Sequence, residues 1–240
     1  MEQDSMYQRT ALLLGDEAVA ALAGKRVLVV GVGGVGAYAV EMLVRTGVGH
    51  LTLIDADNVG ITNLNRQLPA LLSTLGEPKV DVLARRCNDI NPQCHIDARR
   101  EFLTVEAVDA LLDEGYDFVI DAIDTIAPKV ALIERCYRRR IKLISSMGAG
   151  GRIDPSKLRY ADISETFHDG LARVVRQRLK QLGILRGVKV VFSEEAPRRA
   201  SLMMTDEIAN KASSYGTVAW IPAMFGCMLA AHAINVMTRK

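Results

Sequence analysis

The sequence predicts an α/β protein with a doubly wound, mostly parallel β-sheet, and three observations support this prediction. Four short, largely apolar runs are typical of buried strands, and they lie at residues 25–30, 50–54, 117–120 and 141–145. Segments with the apolar spacing of helices lie among them, at residues 34–46, 78–88 and 128–139. A glycine-rich stretch directly follows the first run. Strands and helices that alternate in this way form a parallel sheet with right-handed crossovers.

The pattern changes after Gly151, where the alternation of strands and helices stops being regular. The predicted elements beyond this point are a hairpin at residues 152–163 that turns at Asp154-Pro155, an arginine-rich amphipathic helix at 170–182 and a strand at 189–192. No element is predicted for residues 198–214. A chain of 240 residues can bury most of its apolar surface in one core, so we expect a single domain over residues 1–240.

Composition places the chain among ordinary globular proteins, with 49% hydrophobic and 24% charged residues. The formal net charge of +2 favours no class of partner by itself. The four cysteines are scattered without a CxxC pair, and the amino terminus has no apolar leader segment, so we expect a reduced, cytoplasmic protein. Residues 218–237 carry no formal charge and are long enough to span a bilayer, but Pro222, His232 and Asn235 favour a buried core helix. Membrane contact is the less favoured alternative.

The glycine-rich stretch has the features of a phosphate-binding loop. Gly31, Gly33, Gly34 and Gly36 follow the first strand, and glycines allow a sharp turn and a close approach of the backbone to a phosphate. The helix that follows presents free N–H groups at its amino terminus. Asp55 ends the next strand, where an acidic side chain accepts hydrogen bonds from ribose hydroxyls. The combination predicts a nucleotide site; a tight turn without a ligand is the alternative.

Polar side chains downstream of the second strand favour a triphosphate over NAD. They are Asp57, Asn63, Asn65, Arg66, Gln67 and Lys79. Several cations near the phosphates suit a nucleotide from which pyrophosphate departs, and a dehydrogenase does not need them. Asp124 follows the predicted strand at residues 117–120, where its carboxylate is suited to hold Mg²⁺. The alternatives are a solvated surface pair for Arg66 and Lys79, and a helix N-cap for Asp124.

At this point the chain resembles a known family. The motifs GVGGVG, LIDADNVGITNLNRQ, GEPKV, INP and VIDAIDT are similar to the adenylation domain of the ThiF, MoeB and HesA superfamily, which includes relatives of ubiquitin-activating enzymes. The resemblance implies a Rossmann-like, ATP-binding half at residues 24–151 and a substrate-side extension with a C-terminal helix at 152–240. It also implies a homodimer in which an N-terminal arginine reaches the partner's ATP, and Arg9 in Tyr7-Gln8-Arg9 is the candidate.

The resemblance also implies a role for each polar residue of the site. Asp55 holds the ribose and Asp124 takes Mg²⁺, and Asp57 is a further candidate for nucleotide binding. The remaining residues surround the phosphates of ATP, and they are Asn63, Arg66, Gln67 and Lys79. Arg9, Arg66, Lys79 and Asp124 are therefore the candidate catalytic residues. ATP and Mg²⁺ are the expected cofactors.

The cysteines help to choose a branch of this family. Sulfur-carrier activators often have two CxxC pairs, and thioester-forming activators need a cysteine in the segment after the adenylation half. This chain has no CxxC pair and no cysteine between Cys136 and Cys227. Its VIDAIDTIAPKVALIERC and GAGGRIDPSKL segments resemble the branch of tRNA threonylcarbamoyladenosine dehydratases. That resemblance implies ATP-dependent cyclising dehydration, with tRNA as substrate.

Charge in the C-terminal third is compatible with an RNA partner. Cations outnumber acids between residues 170 and 200, and they are Arg173, Arg176, Arg178, Lys180, Arg186, Lys189, Arg198 and Arg199. A basic face of this kind can follow a phosphate backbone, and a solvated helix face is the alternative.

Three other functions stay open at this stage. An adenylyltransferase acting on a ubiquitin-like carrier, with a sulfur-relay partner, shares the ATP site. An NAD-dependent oxidoreductase depends on the glycine loop and Asp55 alone. A catalytically silent scaffold is disfavoured, because it has no reason to retain the crowded charged cluster.

Overall fold

The computed structural model describes residues 5–204 and 213–239, and its centre is a seven-stranded sheet with the order β3-β2-β1-β4-β5-β7-β6. All neighbouring strands are parallel except β6, which runs antiparallel to β7. The strands of this sheet are β1 (Arg26–Val30), β2 (His50–Ile54), β3 (His95–Arg99), β4 (Phe118–Asp121), β5 (Leu143–Ser146), β6 (Leu158–Asp162) and β7 (Lys189–Ser193). A separate antiparallel pair consists of β8 (Leu202–Met204) and β9 (Ser213–Tyr215).

Helices cover both faces of the sheet. In chain order they are α1 (Gln8–Leu14), α2 (Asp16–Ala23), α3 (Gly36–Thr46), α4 (Lys79–Ile90), α5 (Val108–Asp113), α6 (Ile126–Arg139), α7 (Gly170–Gln181) and α8 (Trp220–Met237). In β1, Val27 and Val29 pack with α3, α4 and α8, whereas Leu28 and Val30 pack with α5 and α6. Successive side chains of a strand point to opposite faces, so β1 is apolar in both phases because both faces are covered. The predicted doubly wound α/β fold is confirmed.

Helix α8 is a core helix, as the sequence suggested for residues 218–237. It is also the one helix in the described residues that is long and apolar enough to cross a membrane, and half of its 18 residues are buried inside the protein. Its residues Ile221, Phe225 and Leu229 are fully buried in the core that includes α3. A Cβ atom at Gly226 would overlap the carbonyl oxygen of Val35, so glycine permits the close contact between α8 and the start of α3.

Several elements differ from the sequence prediction. The hairpin expected around Asp154-Pro155 is wrong, because β6 follows a single 3-10 turn and pairs with β7 instead. Strand β3 was not predicted, since its sequence, HIDAR, is polar and only partly buried at the edge of the sheet. Helices α1, α2 and α5 were also missed; α1 and α5 have only seven and six residues. Of residues 198–214, for which nothing was predicted, β8 and the start of β9 are described and 205–212 lie outside the described part.

Candidate active site

The glycine loop joins β1 to α3 at the carboxyl edge of the sheet. Gly31 has φ of 86°, and a Cβ atom there would lie 2.8 Å from the carbonyl oxygen of Ala122. A Cβ atom at Gly36 would overlap the carbonyl oxygen of Gly31. These two glycines are therefore required by the turn itself. Gly33 instead faces the following polar segment, since a Cβ there would lie 3.6 Å from Gln67 Nε2. A Cβ at Gly34 would lie 3.3 Å from Pro222 of α8 and 3.4 Å from Arg66.

Asp55 fastens the glycine loop to the end of β2. Its Oδ2 accepts a hydrogen bond from the Val32 N–H at 2.8 Å, and its Oδ1 accepts one from the Asp57 N–H, also at 2.8 Å. Burial raises the pKa of the Asp55 carboxyl above its usual value, and the positive charge of Lys79 opposes that rise. Because each carboxylate oxygen has two lone pairs, the side chain can still accept hydrogen bonds from a ligand.

Lys79 lies at the start of α4 and points to the same edge. Its Nζ is 2.7 Å from Asp57 Oδ2, and its side chain is only 5% exposed, whereas that of Asp57 is 71% exposed. The structure thus excludes the alternative of a solvated surface pair for Lys79. A phosphate oxygen can compete for this ammonium group from the exposed side, because Asp57 is the accessible partner.

Asn63, Arg66 and Gln67 are positioned by one tight turn. The carbonyl oxygen of Asn63 accepts hydrogen bonds from the N–H groups of Arg66 and Gln67, at 3.0 and 2.9 Å. The Asn63 side-chain oxygen accepts from the Gly60 N–H at 2.9 Å, so it is used to build the turn. Arg66 is half-buried, burial lowers the pKa of its guanidinium, and its Nη1 donates to Asn65 Oδ1 at 2.8 Å. Arginine nevertheless stays charged at neutral pH, so it remains available for a phosphate.

Gln67 gives the clearest sign that this edge is built for a ligand. Its Oε1 is buried and has no hydrogen-bond partner in the part of the chain that the structure describes. A buried acceptor without a partner costs free energy, about 1–3 kcal/mol, unless a ligand or water supplies a donor. Since the same side chain faces Gly33, a nucleotide over the glycine loop would lie beside this acceptor.

Asp124 lies in the loop between β4 and α6, and it is exposed. The helix begins at Ile126 and its N-cap position is Thr125, so the structure excludes the alternative N-cap role of Asp124. No cluster of three or more histidine, cysteine or acidic side chains that could hold a metal occurs in residues 5–204 and 213–239. Mg²⁺ does not require such a cluster, because it usually takes one or two carboxylates together with phosphate oxygens of a nucleotide. The residues at this edge therefore fit a nucleotide-bound Mg²⁺.

Arg9 does not join this cluster within one chain. It is exposed on α1, and Tyr7, two residues earlier, accepts a hydrogen bond from Asn91 Nδ2 at 2.7 Å. Tyr7 also packs beside Gly47, at the carboxyl end of α3. Because α3 begins at the glycine loop and ends at the opposite edge of the sheet, Arg9 is far from the nucleotide site of its own chain.

The sequence reading missed two sets of residues that hold loops at this edge. Lys129 and Asp121 form a fully buried ion pair behind the loop of Asp124. Arg152 and Asp169 form a second buried pair at 3.1 Å, and the guanidinium also donates to the carbonyl oxygens of Gly148 and Gly150 in the loop after β5. For Asp121 the signal was an acidic residue at the end of an apolar strand. Lys129 gave no such signal, because only the fold places it on the buried side of α6.

The fold and this edge together define a doubly wound α/β protein with a nucleotide site above a glycine loop. The sequence profile of the ThiF family matches residues 7–240, and the chain belongs to that family. The family resemblance seen in the motifs is thereby confirmed.

Comparison with individual proteins shows which members of the family this chain is similar to over most of its length. The chain is 43% identical to the tRNA threonylcarbamoyladenosine dehydratase of Bacillus subtilis, over 95% of this chain and 92% of that protein. It is similar to the crystal structure of the Escherichia coli tRNA N6-threonylcarbamoyladenosine dehydratase TcdA in complex with ATP, with a TM-score of 0.87 and 39% identity over 99% of this chain and 96% of that chain. It is 37% identical to the molybdopterin-synthase adenylyltransferase of Salmonella typhimurium, but over only 62% of this chain and 59% of that protein.

Proposed function

We propose that this protein is an ATP-dependent dehydratase that cyclises threonylcarbamoyladenosine in tRNA. The observation that carries the proposal is the extent of the similarity. The dehydratases of Bacillus subtilis and Escherichia coli match this chain over 95% and 99% of its length, so the match includes most of the substrate-side extension. The adenylyltransferase match leaves more than a third of the chain without a counterpart.

The chemistry needs a carboxylate of the substrate to attack the α-phosphorus of ATP, with departure of pyrophosphate. An atom within the same modified nucleoside then attacks the acyl carbon and displaces AMP, which carries away one carboxylate oxygen. Lys79 and Arg66 would hold the phosphates, and Asp55 would hold the ribose. Asp124 would hold Mg²⁺, which neutralises charge on the phosphates when bound. Gln67 would supply its buried acceptor to the nucleotide.

The cysteines support transfer within the substrate over a protein thioester. Burial raises the pKa of Cys87 and Cys136 to about 12, and it also raises that of Cys227. A thiol with such a pKa is almost entirely protonated at neutral pH, and the thiolate is the nucleophilic form. We therefore place the acceptor of the activated acyl group in the substrate. The four free cysteines fit a reducing compartment, so we also place the protein in the cytoplasm.

A basic face on α7 supports tRNA as the partner. Arg173, Arg178 and Lys180 are exposed, and no carboxylate of a described residue lies within 4.0 Å of their charged groups. The arginines of the neighbouring helix α6 are different. Arg138 pairs with Glu134, and Arg139 pairs with Asp113 at 2.7 Å. Cations without acidic partners are the ones that can neutralise phosphates, so we assign the RNA backbone to α7.

The contrast between the two helices provides a matched test. Arg173→Ala with Lys180→Ala should weaken tRNA binding and reduce the slope of log K against log salt by about 2, because two phosphate contacts are lost. Arg138→Ala with Arg139→Ala removes the same charge from α6 and should leave the slope unchanged. Filter binding at several salt concentrations measures both. Equal effects of the two pairs would contradict the assignment to α7.

We infer further that the enzyme is a homodimer in which Arg9 of one subunit acts at the nucleotide of the other. The position of α1 at the edge of the sheet opposite the glycine loop supports this, as do Leu12 and Leu13, which are 85% and 84% exposed on α1. Mixing inactive Arg9→Ala with inactive Asp124→Ala protein should restore up to about a quarter of the activity, in mixed dimers that retain one intact site. Absence of any recovery would contradict the action of Arg9 across a dimer.

The direct test of the proposed function is a mass measurement on the product. Protein, ATP, Mg²⁺ and tRNA carrying linear threonylcarbamoyladenosine should yield a nucleoside lighter by one water, with one AMP and one pyrophosphate per product. Unmodified tRNA is the control and should release no pyrophosphate. If pyrophosphate exchange instead requires a ubiquitin-like carrier protein and ignores tRNA, the adenylyltransferase alternative replaces this proposal.

A further inference from the structure

Three side chains form a sealed polar cluster at the carboxyl ends of β4 and β5. The side chains of Lys129 and Asp121 are both 0% exposed, and Lys129 Nζ lies 2.9 Å from Asp121 Oδ2. Ser145 donates its hydroxyl to the same Oδ2 at 2.6 Å. A ligand cannot reach this cluster directly, because all three side chains are buried.

The ion pair holds both backbone groups of one residue. Asp121 Oδ1 accepts a hydrogen bond from the Ile123 N–H at 3.0 Å, and Lys129 Nζ donates one to the Ile123 carbonyl oxygen at 2.9 Å. These two groups belong to successive peptide planes, which are rigid. The second plane ends at the Cα atom of Asp124, so the pair fixes the position of that Cα atom.

The glycine loop supports the same segment from the other side. The Ala122 N–H donates to the Val30 carbonyl oxygen at 2.9 Å, and the Ala122 carbonyl oxygen faces the space that a Cβ atom at Gly31 would occupy. The segment from Ala122 to Asp124 therefore lies between the phosphate-binding loop and the Lys129–Asp121 pair. Its position beside the glycine loop is therefore fixed from two sides.

Stability alone does not explain why charges are buried here. Removing two charges from water costs about as much as their attraction returns, and well-packed apolar residues often replace a buried ion pair without loss. An apolar pair, however, could not bind the N–H and the carbonyl oxygen of Ile123. What the charged pair adds is the orientation of the loop.

We propose that Lys129, together with Asp121, is a positioning residue that holds the Asp124 carboxylate where a nucleotide-bound Mg²⁺ meets it. This inference rests on the metal role of Asp124 in the proposed function. Lys129 itself touches neither substrate nor metal. The hydrogen-bond partners of a metal-binding carboxylate, and of the backbone that carries it, commonly change metal affinity when they are removed.

The test compares metal binding with nucleotide binding in a variant whose buried pair carries no charge. Asp121→Asn with Lys129→Met removes both charges, so no unpaired charge is left buried. The decrease of the EPR signal of free Mn²⁺ measures Mn²⁺ binding in the presence of a non-hydrolysable ATP analogue. The affinity for Mn²⁺ should be about tenfold lower in this variant than in the unaltered protein. Affinity for the same analogue in EDTA should change less than about twofold, because Lys79 and Arg66 are untouched. Raising the Mg²⁺ concentration should restore activity.

Two reference variants keep the result interpretable. Ser145→Ala removes a hydrogen bond to Asp121 but leaves both bonds to Ile123, so its Mn²⁺ affinity should stay unchanged. Asp121→Asn with Lys129→Gln also leaves no buried charge and keeps polar groups in the cluster, so it is the variant to use if the first double variant does not fold. It should weaken Mn²⁺ binding in the same direction, because the charge-assisted bonds to Ile123 are lost. If a folded variant of the Lys129–Asp121 pair has normal Mn²⁺ affinity, the pair contributes to stability only.

Asp124→Ala separates this inference from the one beneath it. If Asp124→Ala weakens Mn²⁺ binding and the Lys129 variant does not, the positioning role is wrong and the metal role stands. If Asp124→Ala leaves Mn²⁺ binding unchanged, the metal role of Asp124 is wrong and the positioning role falls with it.

Discussion

Two lysine–aspartate pairs lie at the same edge of the sheet, and their surroundings differ. Lys79 and Asp57 are 2.7 Å apart, and Asp57 is 71% exposed. Lys129 and Asp121 are 2.9 Å apart, and both side chains are 0% exposed. The first pair is open on one side, so a phosphate can take the place of the carboxylate. The second is closed, meaning inaccessible to solvent, so its hydrogen bonds are made only within the protein. Burial, more than residue type, decides which pair meets a ligand.

The largest expected effect concerns Asp124, whose loop the closed pair holds. Asp124→Ala should reduce pyrophosphate release roughly a thousandfold, because a metal that stabilises the phosphates is worth several kcal/mol of barrier. The urea midpoint should not change, since the side chain is exposed. Asp113→Ala, at another exposed carboxylate, is the control and should keep full activity. Normal turnover without Asp124 would contradict its assignment.

Removing one partner of the closed pair, Lys129 and Asp121, should lower the free energy of unfolding more than removing one partner of the open pair, Lys79 and Asp57. Lys129→Met leaves the Asp121 carboxylate buried without its ion-pair partner, so the free energy of unfolding should fall by about 3–5 kcal/mol. Asp121→Asn with Lys129→Met should recover most of that loss. Urea unfolding of both variants measures the difference. If Lys129→Met alone were as stable as the unaltered protein, the two pairs would not differ in their contribution to the free energy of unfolding.

The open pair should show the opposite balance. Lys79→Met should weaken ATP binding by about 10- to 100-fold, because a charge-assisted hydrogen bond to phosphate, worth about 1.5–3 kcal/mol, is lost. The free energy of unfolding should change by about 1 kcal/mol or less, since Asp57 is left in solvent. Calorimetric titration and urea unfolding of one preparation give both values. A large stability loss with normal ATP binding would reverse the comparison.

The smallest expected effect is a pH dependence at Asp55. Burial raises the pKa of this carboxyl, so it takes up a proton at a higher pH than an ordinary aspartate does. Protonation removes acceptor capacity for the ribose, and ATP affinity should therefore decrease on acidification from a higher pH than an unperturbed aspartate would give. Asp55→Asn should bind ATP more weakly, with that component of the pH dependence absent. Identical pH profiles for the two proteins would contradict the ribose role.

The expected site residues differ in how directly their positions follow from the sequence. Gly31, Gly36 and Asp55 belong to a strand–loop–helix–strand unit, in which spacing along the chain fixes spacing in space. The residues from Asn63 to Gln67 form one turn, so they had to lie together. Arg9 is the opposite case, because it lies far from the nucleotide site of its own chain and its proposed role needs a second subunit. The roles of all these residues in catalysis remain predictions.

The amino-acid sequence alone determined the doubly wound sheet, the glycine loop and the nearness of Asp55 to it, because periodicity and turn chemistry act over a few residues. Only the tertiary structure decided that β6 pairs with β7, that α8 packs on α3, and that Lys129 reaches Ile123 from inside the protein. The physical reason is that burial and ion pairing depend on elements far apart in the chain. A lysine on α6 has the same local pattern whether it faces solvent or a buried carboxylate.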